Sequence, residues 1–285
     1  MKNLILFILI SGFFQFSYAQ SESVIDGAYK KNIRDSGDDR KIQGYQHVRE
    51  ADVMWSTKIT RVINLTEKIN QVFYYPTYPI NDRKNLVTVL LDAIKEGTIT
   101  AYDPQGTRDD EFKVPMTMST LDVNLGNINV EQSFLDEESD EYVTIIDSSK
   151  FDSRSVKKYR VKEEWYFDKQ RSVMDVRIIG LCPMMELYDD NNVYKGADRY
   201  LFWVYFPEAR NVLSKAEVFN HRKNDAARLT YDDIFHKRFF NSYIVKESNK
   251  YDRSINEYRQ GIDALLEAEA IQEEIFNLEH DLWEY

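Results

Sequence analysis

Residues 159–206 carry the pattern that most limits what this chain can fold into. Tyr159, Val161, Trp165 and Phe167 recur at period two, with Lys162, Glu164 and Asp168 on the opposite parity, the alternation of a half-buried strand. Glu163 breaks it, putting a carboxylate where the pattern expects an apolar side chain. Asp168-Lys169-Gln170-Arg171 is a polar turn, after which Met174, Val176, Ile178 and Cys182 share one face, so the two runs predict an antiparallel hairpin. Further on, residues 200–206 are apolar on both parities and stop at Pro207, which predicts a strand covered on both faces. Helices before and after must supply that cover. The expected fold class is α+β, a central antiparallel sheet over about residues 159–206 packed with helices from the N-terminal and C-terminal parts.

The flanks supply candidates for those helices. Val53, Met54, Trp55, Ile59, Val62, Ile63 and Leu65 recur roughly as one helical face, with Asp52 near the start, and predict a helix within residues 50–65. Phe73-Tyr74-Tyr75-Pro76, with Tyr78 and Pro79, then forms an aromatic loop, either a lid on the core or an exposed binding surface. Residues 85–96 give a clean amphipathic helix, with Gly97 placed for a left-handed cap. A short strand at 98–102, a turn, a second strand around 111–118 and a helix capped by Ser119 before Gly126 complete an N-terminal α/β portion. Residues 143–146 are expected to pair with an edge of the main sheet.

The C-terminal part reads as helical. Residues 208–219 hold one helix, and Thr230 caps another over 231–240, with Asp232 and Asp233 in its first turn and Lys237 and Arg238 near its end. From Ser254 a final helix carries Ile255, Tyr258, Ile262, Leu265 and Leu266, then Ile271, Ile275, Leu278 and Leu282. Its stripe shifts near residues 267–270, which predicts a bend or two different packing neighbours. Trp283 and Tyr285 end the chain as an aromatic terminus expected to dock.

Composition and the first residues indicate the compartment. Lys2, an apolar run over residues 4–14 and Ser17-Tyr18-Ala19 before Gln20 read as a cleaved signal peptide, the alternative being an uncleaved anchor. No Cys stands at the cleavage point to carry a lipid. The division expected is a signal peptide at 1–19, a polar mobile arm at 20–44, an α/β portion at 45–126, a polar connector at 127–158, and sheet plus helices at 159–285. A formal net charge of −11 argues against nucleic acid, and against an anionic membrane surface, as the main ligand. The single cysteine, Cys182, reads as a small core residue, or, more sharply, as an intermolecular bridge to a partner.

Chemistry is scarce in the pattern. His47, His221, His236 and His280 are far apart, and none is spaced to pair on a helix face. Asp189-Asp190-Asn191-Asn192 has calcium-ligand atoms without the order of an EF-hand loop, and Asp136-Glu137-Glu138-Ser139-Asp140-Glu141 reads as a solvated acidic run. No nucleophile elbow or phosphate loop is present, and a glycosidase pair drawn from Glu163, Glu164 or Glu208 has nothing to single it out. The expectation is a protein without catalytic, metal or cofactor residues. The alternatives are a carbohydrate-active enzyme and a small-ligand-binding protein.

Several long runs resemble one family. Ala51-Asp52-Val53-Met54-Trp55, Lys68-Ile69-Asn70-Gln71 with Tyr74-Tyr75-Pro76, Phe167-Asp168-Lys169-Gln170-Arg171-Ser172-Val173-Met174, Phe202-Trp203-Val204-Tyr205-Phe206-Pro207-Glu208-Ala209-Arg210, Tyr231-Asp232-Asp233-Ile234-Phe235 and Glu279-His280-Asp281-Leu282-Trp283-Glu284-Tyr285 look like the GldN/PorN family of Bacteroidota. Residues 22–44 and 125–155 do not match it. The resemblance implies a non-enzymatic periplasmic ring component of the type IX secretion system and gliding machinery. The partners implied are a GldK/PorK-type outer-membrane lipoprotein, a GldM/PorM-type motor protein and further copies of the chain, with no direct membrane insertion. Tyr74, Tyr75, Trp283 and Tyr285, with the arm and the C-terminal helix, are the expected interface residues.

Overall fold

A computed structural model describes residues 42–80, 83–104, 111–127, 129–135, 142–148, 151–188, 194–219 and 228–283. The leader at 1–19, the arm as far as residue 41, the acidic run at 136–141, the loop at 189–192, His221 and Tyr285 lie outside the described residues. Residues 40–285 form one compact unit.

The expected hairpin is the centre of the sheet. Strand β5 (Val156–Asp168) pairs antiparallel with β6 (Val173–Tyr188) across the polar turn. Asp168 organises that turn: its carboxylate accepts from the Gln170 backbone N–H at 2.9 Å and from Arg171 Nε at 2.7 Å. On the other side β5 pairs with β1 (Val53–Asn64), which in turn pairs with β11 (Tyr243–Glu247). Beyond β6 stand β7 (Tyr194–Tyr200) and β8 (Trp203–Tyr205), and β8 pairs with the two-residue β2 (Ala101–Tyr102). The sheet has seven antiparallel strands in the order β11-β1-β5-β6-β8-β2, with β7 also on β6, and β9 (Glu217–Val218) and β10 (Leu229–Thr230) pair apart from it. The architecture is α+β, as its strand and helix patterns indicate.

Residues 53–64 are a strand, which corrects the helix expected within 50–65. Six of its twelve residues are β-branched, and its first half alternates half-buried and exposed positions. Its second half, Ile59 to Ile63, is buried throughout because β5 and β11 flank it and both faces are covered. Adjacent apolar residues at 54–55 and 62–63 imitated a helical stripe for that reason.

One sheet face carries two apolar clusters. The register aligns Ile63 with Tyr159, Arg61 with Val161, and Ile59 with Glu163, all on this face. At one end Ile63, Tyr159, Val161, Ile178 and Leu181 pack beneath α1 (Gln71–Tyr74), α2 (Leu86–Lys95), α4 (Phe206–Leu213) and α5 (Tyr231–His236). At the other end Ile59, Phe167, Met174 and Ile244 pack beneath α6 (Ile255–Tyr258) and α7 (Ile262–Trp283). Helix α2 begins where the Asn85 side chain accepts from the Thr88 N–H at 3.0 Å, and it ends at the left-handed Gly97, as its sequence indicates. Thr230 and Asp233 close a capping box on α5.

Other expectations are revised. The strand expected around 111–118 reduces to one bridge, Pro115 to Tyr102, and α3 (Met118–Leu125) is capped by Thr117 rather than Ser119. Residues 143–146 belong to β4 (Tyr142–Ser148), which pairs with β3 (Asn129–Leu135) as a separate hairpin and not with the main sheet. Pairing in the 200–206 run lapses at Leu201 and Phe202, and Phe206-Pro207 opens α4, where proline's fixed φ suits the first helical turn. The helix expected from Ser254 onward is interrupted after Tyr258, where Gly261 takes a left-handed φ of 60°.

Phe73 joins the larger cluster to the sheet, with ring centroids 5.1 Å from Phe235, 6.2 Å from Tyr231 and 6.3 Å from Tyr159. Phe73→Ala is expected to cost about 3–5 kcal/mol, read as a lowered urea midpoint, and a loss under about 1 kcal/mol would contradict the packing. The hairpin turn predicts a pH effect. Its hydrogen bond from Arg171, first, holds the Asp168 carboxyl below its ordinary value of 3.8, so this stabilisation is complete above that value and disappears as the pH falls through the lower folded-state value. Asp168→Asn is therefore expected to lower stability at neutral pH and to flatten its acid limb; an unchanged limb would show the turn is not involved.

Candidate functional site

The aromatic loop divides into an anchor and an outward patch. Val72, Phe73 and Pro76 are buried, so the lid account holds for them, whereas Tyr75 is 50% and Tyr78 64% exposed. Tyr74 is half-buried, and Tyr75 meets it edge-on with centroids 5.0 Å apart. Lys157 Nζ lies 4.7 Å over the Tyr74 ring and donates to its hydroxyl at 3.2 Å, and the Arg154 guanidinium lies 5.6 Å over Tyr78. Arg154 is also paired with Asp152, Nη2 to Oδ2 at 2.7 Å, so both cations are held in place by neighbours as well as by the rings. Tyr74 and Tyr75 thus share one surface. Trp283 is instead the last described residue, at the end of α7.

A buried charge cluster stands where the two apolar clusters meet. Glu163 is fully buried, its Oε2 accepting from Trp165 Nε1 and from Arg238 Nη2, both at 3.1 Å. Arg238 Nη1 also approaches Oε1 at 2.9 Å, an ion-pair contact without hydrogen-bond alignment. Arg238 occupies the left-handed position that ends α5, with φ of 52°, where Phe239 N–H returns to the Ile234 carbonyl at 2.9 Å. Arg61, buried on the same face, donates to Gln272 Oε1 of α7 at 3.0 Å and sits 5.9 Å over Trp165. Desolvation lowers its pKa, and the nearby Glu163 charge opposes that shift.

Beside this cluster is a cavity of about 550 Å³, lined among others by Tyr45, Trp165, Met174, Phe235, His236 and Arg238. Residues 43–46 form one wall. The Tyr45 ring has the Arg210 guanidinium 4.5 Å over it and that of Arg177 at 5.4 Å, and Arg210 donates to the Gln43 carbonyl at 2.8 Å. Arg210 itself is held by Asp232, Nε to Oδ1 at 2.8 Å. The last residues of the expected arm therefore lie against the body.

The carboxylates considered for hydrolysis do not form a pair. Glu163 and Glu164 are neighbours in β5 and project to opposite faces, Glu163 is already engaged by Arg238, and Glu208 accepts from Thr100 at 3.3 Å. Among the described residues no group of three His, Cys, Asp or Glu side chains is placed to hold a metal ion. Cys182 is buried, and burial pushes its thiol up to about 12, against thiolate chemistry. It does not share the face of Met174, Val176 and Ile178: a register shift opposite Lys162 and Glu163 moves it to the other face, paired with Arg160. The hydrophobic pattern of β6 carried no sign of that extra residue.

On both sides of the stripe shift the buried residues of the last helix join one cluster rather than two packing neighbours. Ala264, Ala268, Ile271 and Ile275 face the sheet, and Ile262, Leu265 and Leu266 point outward, 76%, 54% and 56% exposed. Sequence reasoning missed these three as surface residues because small alanines, not leucines, occupy the buried side.

A family model described as gliding motility associated protein GldN matches residues 48–284, and no curated protein matches the chain. The match spans the sheet and both helical clusters.

Arg238→Gly gives a test with opposing terms. Glycine relaxes the left-handed backbone by roughly 1 kcal/mol, and removing the guanidinium leaves Glu163 buried and unpaired at a cost of about 3–5 kcal/mol. The guanidinium is partly exposed, so the lower part of that range applies, and the expected net change is a destabilisation of about 2 kcal/mol in urea unfolding. A stabilised variant would show that the pair contributes nothing.

Proposed function

The chain belongs to the GldN family of gliding-motility-associated proteins, and we propose that it is a non-enzymatic structural subunit of the periplasmic ring of the type IX secretion system and gliding machinery. In this reading it is exported by the leader at 1–19, assembles with a GldK/PorK-type outer-membrane lipoprotein together with further copies of itself, and couples to a GldM/PorM-type motor protein. The lipoprotein holds it at the inner face of the outer membrane.

The observation that carries the reading is the family match across residues 48–284, which takes in every strand of the main sheet. The surfaces agree with it. A subunit in a closed heterologous ring needs two different docking patches, and the tyrosine loop and the outer side of α7 are both exposed. No helix among the described residues is long and apolar enough to cross a membrane, which accords with attachment through a partner.

The test is the mass, by light scattering on a sizing column, of mature chain co-expressed with the candidate lipoprotein in mild detergent. A megadalton-scale species containing both chains is expected. A monomer that ignores the lipoprotein would overturn the ring reading.

A further inference from the structure

Helix α7 has two sides with different partners, and only one partner is within this chain. At about 100° per residue, Ala264, Ala268, Ile271 and Ile275 lie together on the sheet, and Ile262, Leu265, Leu266 and Phe276 lie on the opposite side. The outer four are 54–76% exposed. Four large apolar side chains exposed along one side of a helix are the kind of surface on which a partner docks. The helix itself is acidic: α7 holds seven carboxylates and no Lys or Arg, and Arg259 outside it approaches one of them, Glu267, at 3.8 Å. Glu269 and Glu273 lie between the exposed apolar residues, one turn apart, and repel each other until a cationic surface arrives.

A surface of the opposite character exists on the same chain. Lys157 lies over the Tyr74 ring and Arg154 over Tyr78, and Arg83 lies 4.5 Å over the part-exposed Phe219 ring; with Asp152 paired to Arg154 at 2.7 Å, these three cations outnumber the one carboxylate among them. Lys157 stands at the start of β5, whereas α7 packs on Phe167 at its finish and, through Gln272, on Arg61, which pairs with Val161. The inner side of α7 lies on the sheet, so its outer side faces away from the strand that carries Lys157. Copies of a chain with net charge −11 repel at a distance, and self-contact therefore needs a local patch of opposite sign.

We propose that the acidic, apolar outer side of α7 in one subunit docks on the tyrosine and cation patch of the next, a head-to-tail contact between copies of this chain. This rests on the ring reading and names the contact through which the copies meet. Leu265, Leu266 and Phe276 seat against Tyr75 and Tyr78, and Glu269 and Glu273 meet Lys157 and Arg154. Because the two patches differ, the contact is heterologous and repeats around a ring rather than closing a dimer.

Two measurements on the mature chain, alone and co-expressed with the lipoprotein, test it. A Tyr75→Cys copy mixed with a Leu265→Cys copy is expected to cross-link with a short bis-maleimide, and neither copy with itself; the native Cys182 is buried. Glu269→Lys with Glu273→Lys, or Arg154→Glu with Lys157→Glu, is expected to weaken self-association about tenfold or more, because like charges then face each other. Mixing the two charge-reversed copies restores it, since each reversed patch then meets a complementary one, and this also shows that both variants fold. Wild-type assembly without the mixed cross-link, cross-linking of like copies, or failure of the mixture to recover overturns this contact and leaves the ring standing. A wild-type chain that stays monomeric even with the lipoprotein overturns the ring, and this contact with it.

Discussion

Burial of Glu163 in the middle of β5 sets the conditions that the surrounding structure meets. An isolated carboxylate there would be prohibitively costly, and it persists because Arg238, Trp165 and the nearby Arg61 surround it. Each neighbour comes from a different element. Arg238 arrives at the left-handed stop of α5, Arg61 from β1, and Arg61 in turn holds Gln272 of α7. The ion pair and its neighbours therefore fix how the two helical layers meet over one sheet face, with apolar packing on both sides of the seam.

That arrangement shapes what is left exposed. Once the first turns of α7 put Ala264 and Ala268 inward against the sheet, Ile262, Leu265 and Leu266 have only the outside to occupy. Phe73 does the same for the tyrosine loop: with its ring among Tyr159, Tyr231 and Phe235 and Pro76 buried behind it, Tyr75 and Tyr78 are left exposed. The surface patches are consequences of how the core is anchored. The cavity under Tyr45 follows the same logic, its outer wall being a chain segment pinned by Arg210.

Much of the fold was legible from local pattern. The 159–182 hairpin, the stop at Gly97 and the cap at Thr230 each depend on a few adjacent residues whose chemistry has one economical outcome. Glu163 was visible as an interruption of the alternation, although its partners were not. Residues 53–64 misled because a strand covered on both faces has no period to read, and neighbouring apolar pairs then resemble a helical face. Of the site, Tyr74 and Tyr75 could be picked out as a possible surface by composition, whereas the outward Ile262, Leu265 and Leu266 looked like core.

The sequence by itself determined the α+β class, the central hairpin, the stop at Gly97, the cap at Thr230 and a family resemblance that the match over residues 48–284 bears out. These follow from period, caps and turn chemistry, which act over a few residues. Tertiary structure decided which face each side chain took. One extra residue in β6 moves Cys182 across the sheet, two alanines turn α7 over, and Arg238 finds Glu163 seventy-five residues away in the chain. Such choices depend on what lies opposite in space, and no local pattern contains that information.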